Sequence, residues 1–181
     1  MASITCMTSA GFQLDCKKGV GGIKSFWLTD LNYFSKGTNT VDGTSEQITA
    51  LESSLTWYQF DLPRNTGSLT QAVSVENNAV FYSQTLEATF PYLTPERRKQ
   101  LEIITRGRHV AIVRDNNDNY WLLGFTDGVE ITAQTSQTGV AKGDLNGSTI
   151  TMLAEEPYSM YRIAEAVVSN DFDGTVVAGS L

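Results

Sequence analysis

The chain has 181 residues, of which 41% are hydrophobic and 18% are charged, and its formal net charge is −7. This length suits one domain with a sizeable core, and the charged fraction is low against the usual ~25%. Because the isoelectric point is about 4.6, the composition argues against a protein that holds nucleic acid by a basic patch or docks on an anionic membrane.

The N-terminal region contains both cysteines, Cys6 and Cys16. Two thiols outside a C-x-x-C pair form neither a zinc site nor a disulfide framework. We therefore expect a reducing, cytoplasmic folding environment and no metal or cofactor. The first fifteen residues lack the basic start and the apolar run of a signal peptide, and no stretch approaches the ~20 apolar residues of a membrane span. We expect a soluble protein.

The first strand-like segment is GGIKSFWLTDLNYF, residues 21–34. Apolar groups occur on both faces of its alternation, which predicts a strand covered on both sides. A Gly/Thr-rich loop follows at residues 35–47. The segment ITALESSLTWYQFDL, residues 48–62, predicts two short strands and is followed by the turn sequence PRNTG.

The segment Thr66–Phe90 has the most informative pattern in the chain. Two long arms flank Asn77 and Asn78, and Asn at both central positions suits the type I′ turn of a hairpin. One face of the alternation is apolar and is predicted to face the protein core: Leu69, Val73, Val80, Tyr82 and Leu86. The other face is polar yet nearly uncharged, and is predicted to meet another subunit or a confined aqueous space: Ser68, Thr70, Ser83, Thr85 and Glu87.

A helix is predicted over residues 94–106. Thr94 suits the N-cap, the proline after it suits the first helical position, and a glycine follows the last turn. Leu101 and Ile104 mark the buried stripe. The basic triplet 97–99 is predicted to be a solvated helix face rather than a nucleic-acid contact, because the chain is acidic.

The stretch RHVAIVRDNNDNYWLLGF, residues 108–125, places five consecutive Asp and Asn residues between two β-rich runs. A calcium loop of the EF-hand type that began at Asp115 would need glycine at its sixth position and glutamate at its twelfth, where Tyr120 and Thr126 stand. We therefore predict a hairpin turn, for which Asn and Asp are well suited. His109 has no catalytic or metal-binding partner in the sequence and is predicted to be an ordinary strand residue.

Two further alternating segments, GVEITAQTSQTGV and STITMLAEEPYSMYRI, are joined by AKGDLNG, in which Asn146-Gly147 gives a strong hairpin signal. Glu155 and Glu156 are adjacent, so on a strand they point to opposite faces and do not form a carboxylate pair. Residues 169–181 are small and polar and are predicted to form a C-terminal arm. A single β-rich domain is predicted over residues 1–168.

The usual catalytic motifs for nucleotide binding, acyl transfer and zinc proteolysis do not occur. Trp27, Trp57 and Trp121 lie within apolar runs, which favours core packing over ligand stacking. We therefore predict a protein without enzymatic activity. Its predicted fold is mainly β, a β-barrel or sandwich with long hairpins and one flanking α-helix.

Three segments resemble the tail tube proteins of tailed bacteriophages, in particular the small variants. They are DCKKGVGGIKSFWLTDL, LTPERRKQLEII and YWLLGFTDGVEITAQTSQTGVAKGDLNGSTITMLAEEP, and the resemblance spans residues 15–157. It rests on the order of the segments and on their residue patterns rather than on a motif of functional residues. Proteins of this family fold as a β-barrel or sandwich with one helix, join edge to edge into hexameric rings, and stack the rings into a tube through which DNA passes.

The resemblance implies a structural virion protein, made in the cytoplasm of a bacterial host and located in the tail. Its partners would be copies of itself and other tail or neck proteins, with DNA as transient, non-specific cargo and no membrane. The polar row of the 66–90 hairpin would line the channel. Two alternatives stay open: another ring-forming virion protein of the neck, short tail or capsid decoration, and a monomeric β-sandwich binding module.

Overall fold

The computed structural model of the chain describes residues 19–35, 37, 39–43, 45–169, 172 and 174–178; Cys6 and Cys16 lie outside them. In the described part there are two helices, α1 (Pro95–Thr105) and α2 (Glu165–Ser169), and a 3₁₀ turn at Leu31–Tyr33. The strands are β1 (Ile23–Asp30), β2 (Thr40–Asp42), β3 (Gln47–Ala50), β4 (Thr56–Asp61), β5 (Gly67–Glu76), β6 (Ala79–Pro91), β7 (His109–Asp115), β8 (Tyr120–Leu123), β9 (Glu130–Gln137), β10 (Gly147–Glu156), β11 (Tyr161–Ile163) and β12 (Thr175–Val177).

The strands form two sheets that pack face to face, which confirms the predicted mainly β fold as a sandwich rather than a closed barrel. The eight-stranded large sheet has the order β12-β4-β1-β7-β8-β11-β3-β2, and the four-stranded small sheet has the order β5-β6-β10-β9. The pairings β11–β3 and β12–β4 are parallel, and the others are antiparallel. The two short strands predicted before residue 62 are β3 and β4.

Both faces of the large sheet are buried, as the alternation in β1 predicted. Phe26 on β1 lies in the core between the sheets, together with Leu86 of β6 and Ile150 of β10. Trp27 points to the opposite face, where Val167 of α2 belongs to a second buried cluster. The small sheet buries one face in the sandwich core, while residues on its other face are exposed or half-buried.

Helix α1 begins after Thr94, whose hydroxyl accepts a hydrogen bond from the Arg97 backbone N–H at 3.3 Å. Leu101 is buried and Ile104 packs against the core between the sheets, as predicted. At the other end of the helix, His109 Nε2 lies 2.9 Å from the Ile104 carbonyl oxygen. The histidine therefore fastens α1 to the start of β7. The short helix α2 was not predicted.

We expect Leu101→Ala to lower the free energy of unfolding by about 2–5 kcal/mol, because the side chain is 5% exposed and its removal leaves a cavity. Ile103→Ala is the matched control on the same helix: Ile103 is 55% exposed, and its loss should change stability by about 0.5 kcal/mol or less. Urea unfolding of the purified chain measures both. Equal losses from the two variants would contradict this packing of α1.

Within the predicted C-terminal arm, residues 169–181, the described residues lie against the large sheet. Phe172 is buried, with its ring centroid 5.0 Å from that of Trp27 and 6.0 Å from that of Trp57. Strand β12 then adds a parallel strand beside β4 at the edge of the large sheet. Phe172 and the pairing of β12 therefore hold the described part of this segment against the large sheet.

The Asn146-Gly147 pair is not a tight hairpin turn. Gly147 pairs with Gln137, so β9 and β10 are joined by the nine residues 138–146. The glycine is needed for a different reason, because a Cβ at position 147 would collide with the carbonyl oxygen of Phe90 on β6. The strands predicted on either side are present, but the turn was placed wrongly.

Candidate functional site

The Asp/Asn run between β7 and β8 is a hairpin turn, as predicted, and Asp115, the first of its two aspartates, stabilises it. The Asp115 carboxylate accepts hydrogen bonds from the backbone N–H groups of Asn117 and Asn119 at 2.8 and 2.9 Å, from Asn119 Nδ2 at 3.0 Å and from Trp121 Nε1 at 3.2 Å. Burial raises the pKa of this carboxyl, but the hydrogen bonds outweigh it and hold the pKa below its usual value. The Asp115 carboxylate therefore stabilises the turn.

The long hairpin formed by β5 and β6 is the feature with functional potential. Asn77 and Asn78 connect the strands with positive φ angles of 48° and 66°, as a type I′ turn requires. Ten cross-strand pairs run without interruption from Gly67–Ala88 to Glu76–Ala79. At about 3.4 Å per residue, the ten residues of β5 extend about 34 Å.

A pair of glutamines divides this hairpin into two halves. Gln71 and Gln84 are direct cross-strand partners. Gln71 Oε1 accepts a hydrogen bond from Met160 N–H at 2.8 Å, and Gln71 Nε2 donates to Ser159 Oγ at 2.9 Å. Gln84 is buried, and its Oε1 accepts from Gly124 N–H at 3.3 Å. The hairpin is thereby tied to the body of the protein at its midpoint.

The core row predicted for the hairpin is correct on the side of the tie away from the turn, where Leu86 is fully buried and Leu69 is half-buried. Beyond the tie, Tyr82 is half-buried. Val73 and Val80 were expected to face the core, but they are 59% and 53% exposed. They share the face of Leu86 but lie beyond the tie, so in this chain they are not core residues. We call residues 72–83 the distal hairpin.

The polar row predicted on the other face of the hairpin lies together on one solvent-facing surface. Ser68 pairs with Glu87, Thr70 with Thr85, and Ser83 with Ala72. Strands β10 and β9 extend the same surface, because Thr89 pairs with Thr149, which pairs with Thr135. We call this surface the hydroxyl face, after its nine Ser and Thr side chains: Ser68, Thr70, Ser74, Ser83, Thr85, Thr89, Thr135, Thr149 and Thr151.

Glu156 at the end of β10 binds the loop that joins β8 of the large sheet to β9 of the small sheet. Its side chain is buried, and its carboxylate accepts hydrogen bonds from the backbone N–H groups of Thr126 at 2.9 and 3.0 Å and of Asp127 at 2.9 Å. The sequence indicated only that Glu155 and Glu156 face opposite ways, and Glu155 is indeed exposed. Polar residues at inward positions of otherwise apolar strands are the signal that would have marked both Glu156 and Gln84.

The small sheet contains no cation and has long open edges. None of its four strands contains Lys or Arg. Its edge strands are β5 with ten residues and β9 with eight, and neither contains proline. The large sheet differs, because it ends in the three-residue strands β2 and β12. Short edge strands, Lys and Pro are the usual protections against edge-to-edge pairing. Neither β5 nor β9 has any of these three.

No family model matches the chain, and no curated protein is significantly similar to it in sequence. Among the described residues, no helix combines the length and the apolar character needed to cross a membrane. The tail tube resemblance therefore stays a prediction.

Proposed function

We propose that the chain is a structural subunit of a ring-stacked tube, the tail tube of a bacteriophage, with the small sheet lining the channel through which DNA passes. The observation that carries the proposal is the combination in one sheet of two long edge strands without Lys, Arg or Pro and a solvent-facing surface of hydroxyl groups without cations.

The edges of the small sheet supply the contacts of a ring. Unpaired N–H and C=O groups along β5 and β9 are a template for another strand. If β5 of one copy pairs with β9 of the next, every copy uses both edges, and a closed ring leaves none exposed. The large sheet has only three-residue edge strands, so it offers much less backbone for this purpose.

Ring closure gives a channel of suitable size. With the six-fold order that the resemblance implies, four strands per copy would build a barrel of about 24 strands. With about 4.8 Å between strands and a tilt of about 40°, such a barrel would have a backbone diameter of about 45–50 Å. This is wide enough for duplex DNA after side chains and water are allowed for.

The hydroxyl face has the chemistry that a DNA channel needs. Ser and Thr hydroxyls keep a surface wet, while affinity for DNA comes mainly from Lys and Arg that neutralise phosphates. The four strands carry no Lys or Arg, and Glu87 adds negative charge to the hydroxyl face. Such a wall repels the phosphate backbone and lets DNA slide.

The proposal predicts that the purified chain forms rings and tubes as its concentration rises. Sedimentation velocity should show the 19.8 kDa chain converting into particles of about 120 kDa and larger. Negative-stain images should show discs with a central hole and tubes of the same width. A chain that stays monomeric at millimolar concentration would refute the proposal. Discs that never form tubes would favour another ring-forming virion protein.

A further inference from the structure

Among the described residues, six of the eleven exposed large hydrophobic side chains lie at the two opposite ends of the small sheet. At the turn end, Val73, Val75 and Val80 of the distal hairpin are exposed on the inward-facing side of the strands. Strand β6, which leads from this turn to the other end, has 13 residues and so extends about 43 Å. Exposed apolar groups that cluster in this way mark interaction surfaces.

The other end of the sheet is formed by α1 and two loops. Tyr92 follows β6 directly, and its N–H donates to the Asn146 carbonyl oxygen at 2.7 Å, which places the 138–146 loop beside it. Tyr92, Ile103 of α1 and Val140 of this loop are exposed. We call this surface, residues 92–108 with 138–146, the helix end.

The 138–146 loop is held in shape rather than left loose. The Asp144 carboxylate accepts hydrogen bonds from the Val140 and Ala141 backbone N–H groups, both at 2.8 Å. Gly139, with a φ of 71°, lets the chain turn here. The loop therefore presents the fully exposed Val140 from an ordered conformation.

The two ends carry opposite charge. The helix end contains six Lys and Arg against three Asp and Glu. Arg98 and Lys99 are exposed there and form no ion pair with any residue that the structure describes. The turn end has the exposed Glu76 and Glu155, and the strands that form it contain no Lys or Arg.

We propose that the distal hairpin of one copy docks on the helix end of a second copy. Each surface exposes apolar side chains, and the net charges of the two are opposite, so the occupant that fits both is another copy of this chain. Because the two surfaces are unlike, the contact is head to tail and propagates instead of closing into a dimer. The inference rests on the proposed function, within which this contact joins one ring to the next.

Charge reversal tests this contact. The variant with Glu76→Lys and Glu155→Lys makes both ends positive, and the variant with Arg98→Glu and Lys99→Glu makes both ends negative. Like charges then face each other at every stacking contact, so we expect each variant to form discs and to need at least about tenfold more protein than the unaltered chain to form tubes. Quantitative negative-stain imaging and tube pelleting at low salt measure this. Glu165→Lys, on the exposed surface of α2, is the control and should form tubes normally.

Mixing the two variants distinguishes a specific contact from general repulsion. In an equal mixture, the positive hairpin of one variant meets the negative helix end of the other, and the reverse contact also pairs opposite charges. The mixture, and a chain that carries all four substitutions, should therefore form tubes again.

The other outcomes separate this inference from the proposed function. Tubes formed by both variants as readily as by the unaltered chain would overturn the inference and leave the channel proposal intact. Discs that neither the mixture nor the fourfold variant restores to tubes would also overturn it. Open filaments of the unaltered chain without rings would support the head-to-tail contact and refute the tube. Binding of the hairpin to DNA or to vesicles instead of to its own copies would overturn the inference.

Discussion

Leu86→Lys is expected to abolish folding of the isolated chain, whereas Val73→Lys is expected to leave it folded. The two residues lie on the same face of the same hairpin, and Leu86 is 0% exposed while Val73 is 59% exposed. A lysine at position 86 would bury an unpaired amine in the core between the sheets, at a cost above about 4 kcal/mol. The lost leucine packing adds about 2–5 kcal/mol, so the sum is comparable with the total stability of such a domain, about 5–15 kcal/mol.

At position 73 the lysine would extend into solvent, and stability should change by about 1 kcal/mol or less. Circular dichroism and urea unfolding of both variants measure the difference. Val73→Thr, which keeps the shape of the side chain, is the control and should match the unaltered chain in folding. If Val73→Lys unfolds the chain as Leu86→Lys does, the distal hairpin is packed against the body and the boundary at Gln71 and Gln84 is misplaced.

Lysines on the hydroxyl face are expected to turn an inert channel into one that retains DNA. Thr85→Lys with Thr135→Lys adds two cations two strands apart, at exposed or half-buried positions that already meet water. Thr70 and Thr85 would be a poorer pair, because they are direct cross-strand partners and two lysines there would repel each other. We expect folding and tube formation to change little.

Tubes of this variant assembled with linear duplex DNA should co-pellet DNA that tubes of the unaltered chain release. Retention should fall steeply as salt rises, because each phosphate contact contributes about −0.9 to the slope of log affinity against log salt concentration. Thr85→Gln with Thr135→Gln, of similar length but uncharged, is the control and should release DNA. Lysine tubes that release DNA as readily as the control would place these residues away from the channel.

The sequence predicted local features well wherever one residue type decides the backbone. Asn77 and Asn78 predicted the turn with positive φ, and Thr94 predicted the helix start. Alternation assigned Ser68, Thr70, Ser83, Thr85 and Glu87 to one surface, and the register confirms that they share it. Whether this surface faces a channel stays a prediction.

Alternation reports which face a side chain occupies but not whether another layer lies opposite. Val73, Val80 and Leu86 have the same pattern in the sequence, and only the end of the opposing layer at Gln71 and Gln84 makes two of them exposed. That boundary depends on hydrogen bonds to residues about 40 to 90 positions away, such as Gly124 and Met160. The pairing of β6 with β10 also joins segments that are far apart in the sequence. Local sequence pattern therefore could not show that β5 and β9 are the edge strands of the small sheet.

The most direct test of the central claim is to determine which sheet surrounds the lumen of the assembled protein. A cryo-electron microscopy reconstruction of the tubes, at a resolution that separates strands, measures this. We predict that the small sheets of neighbouring copies form one continuous barrel through contact of β5 with β9, with the hydroxyl face toward the channel and the large sheet outside. A tube lined by the large sheet, or by the faces of α1, would contradict the account.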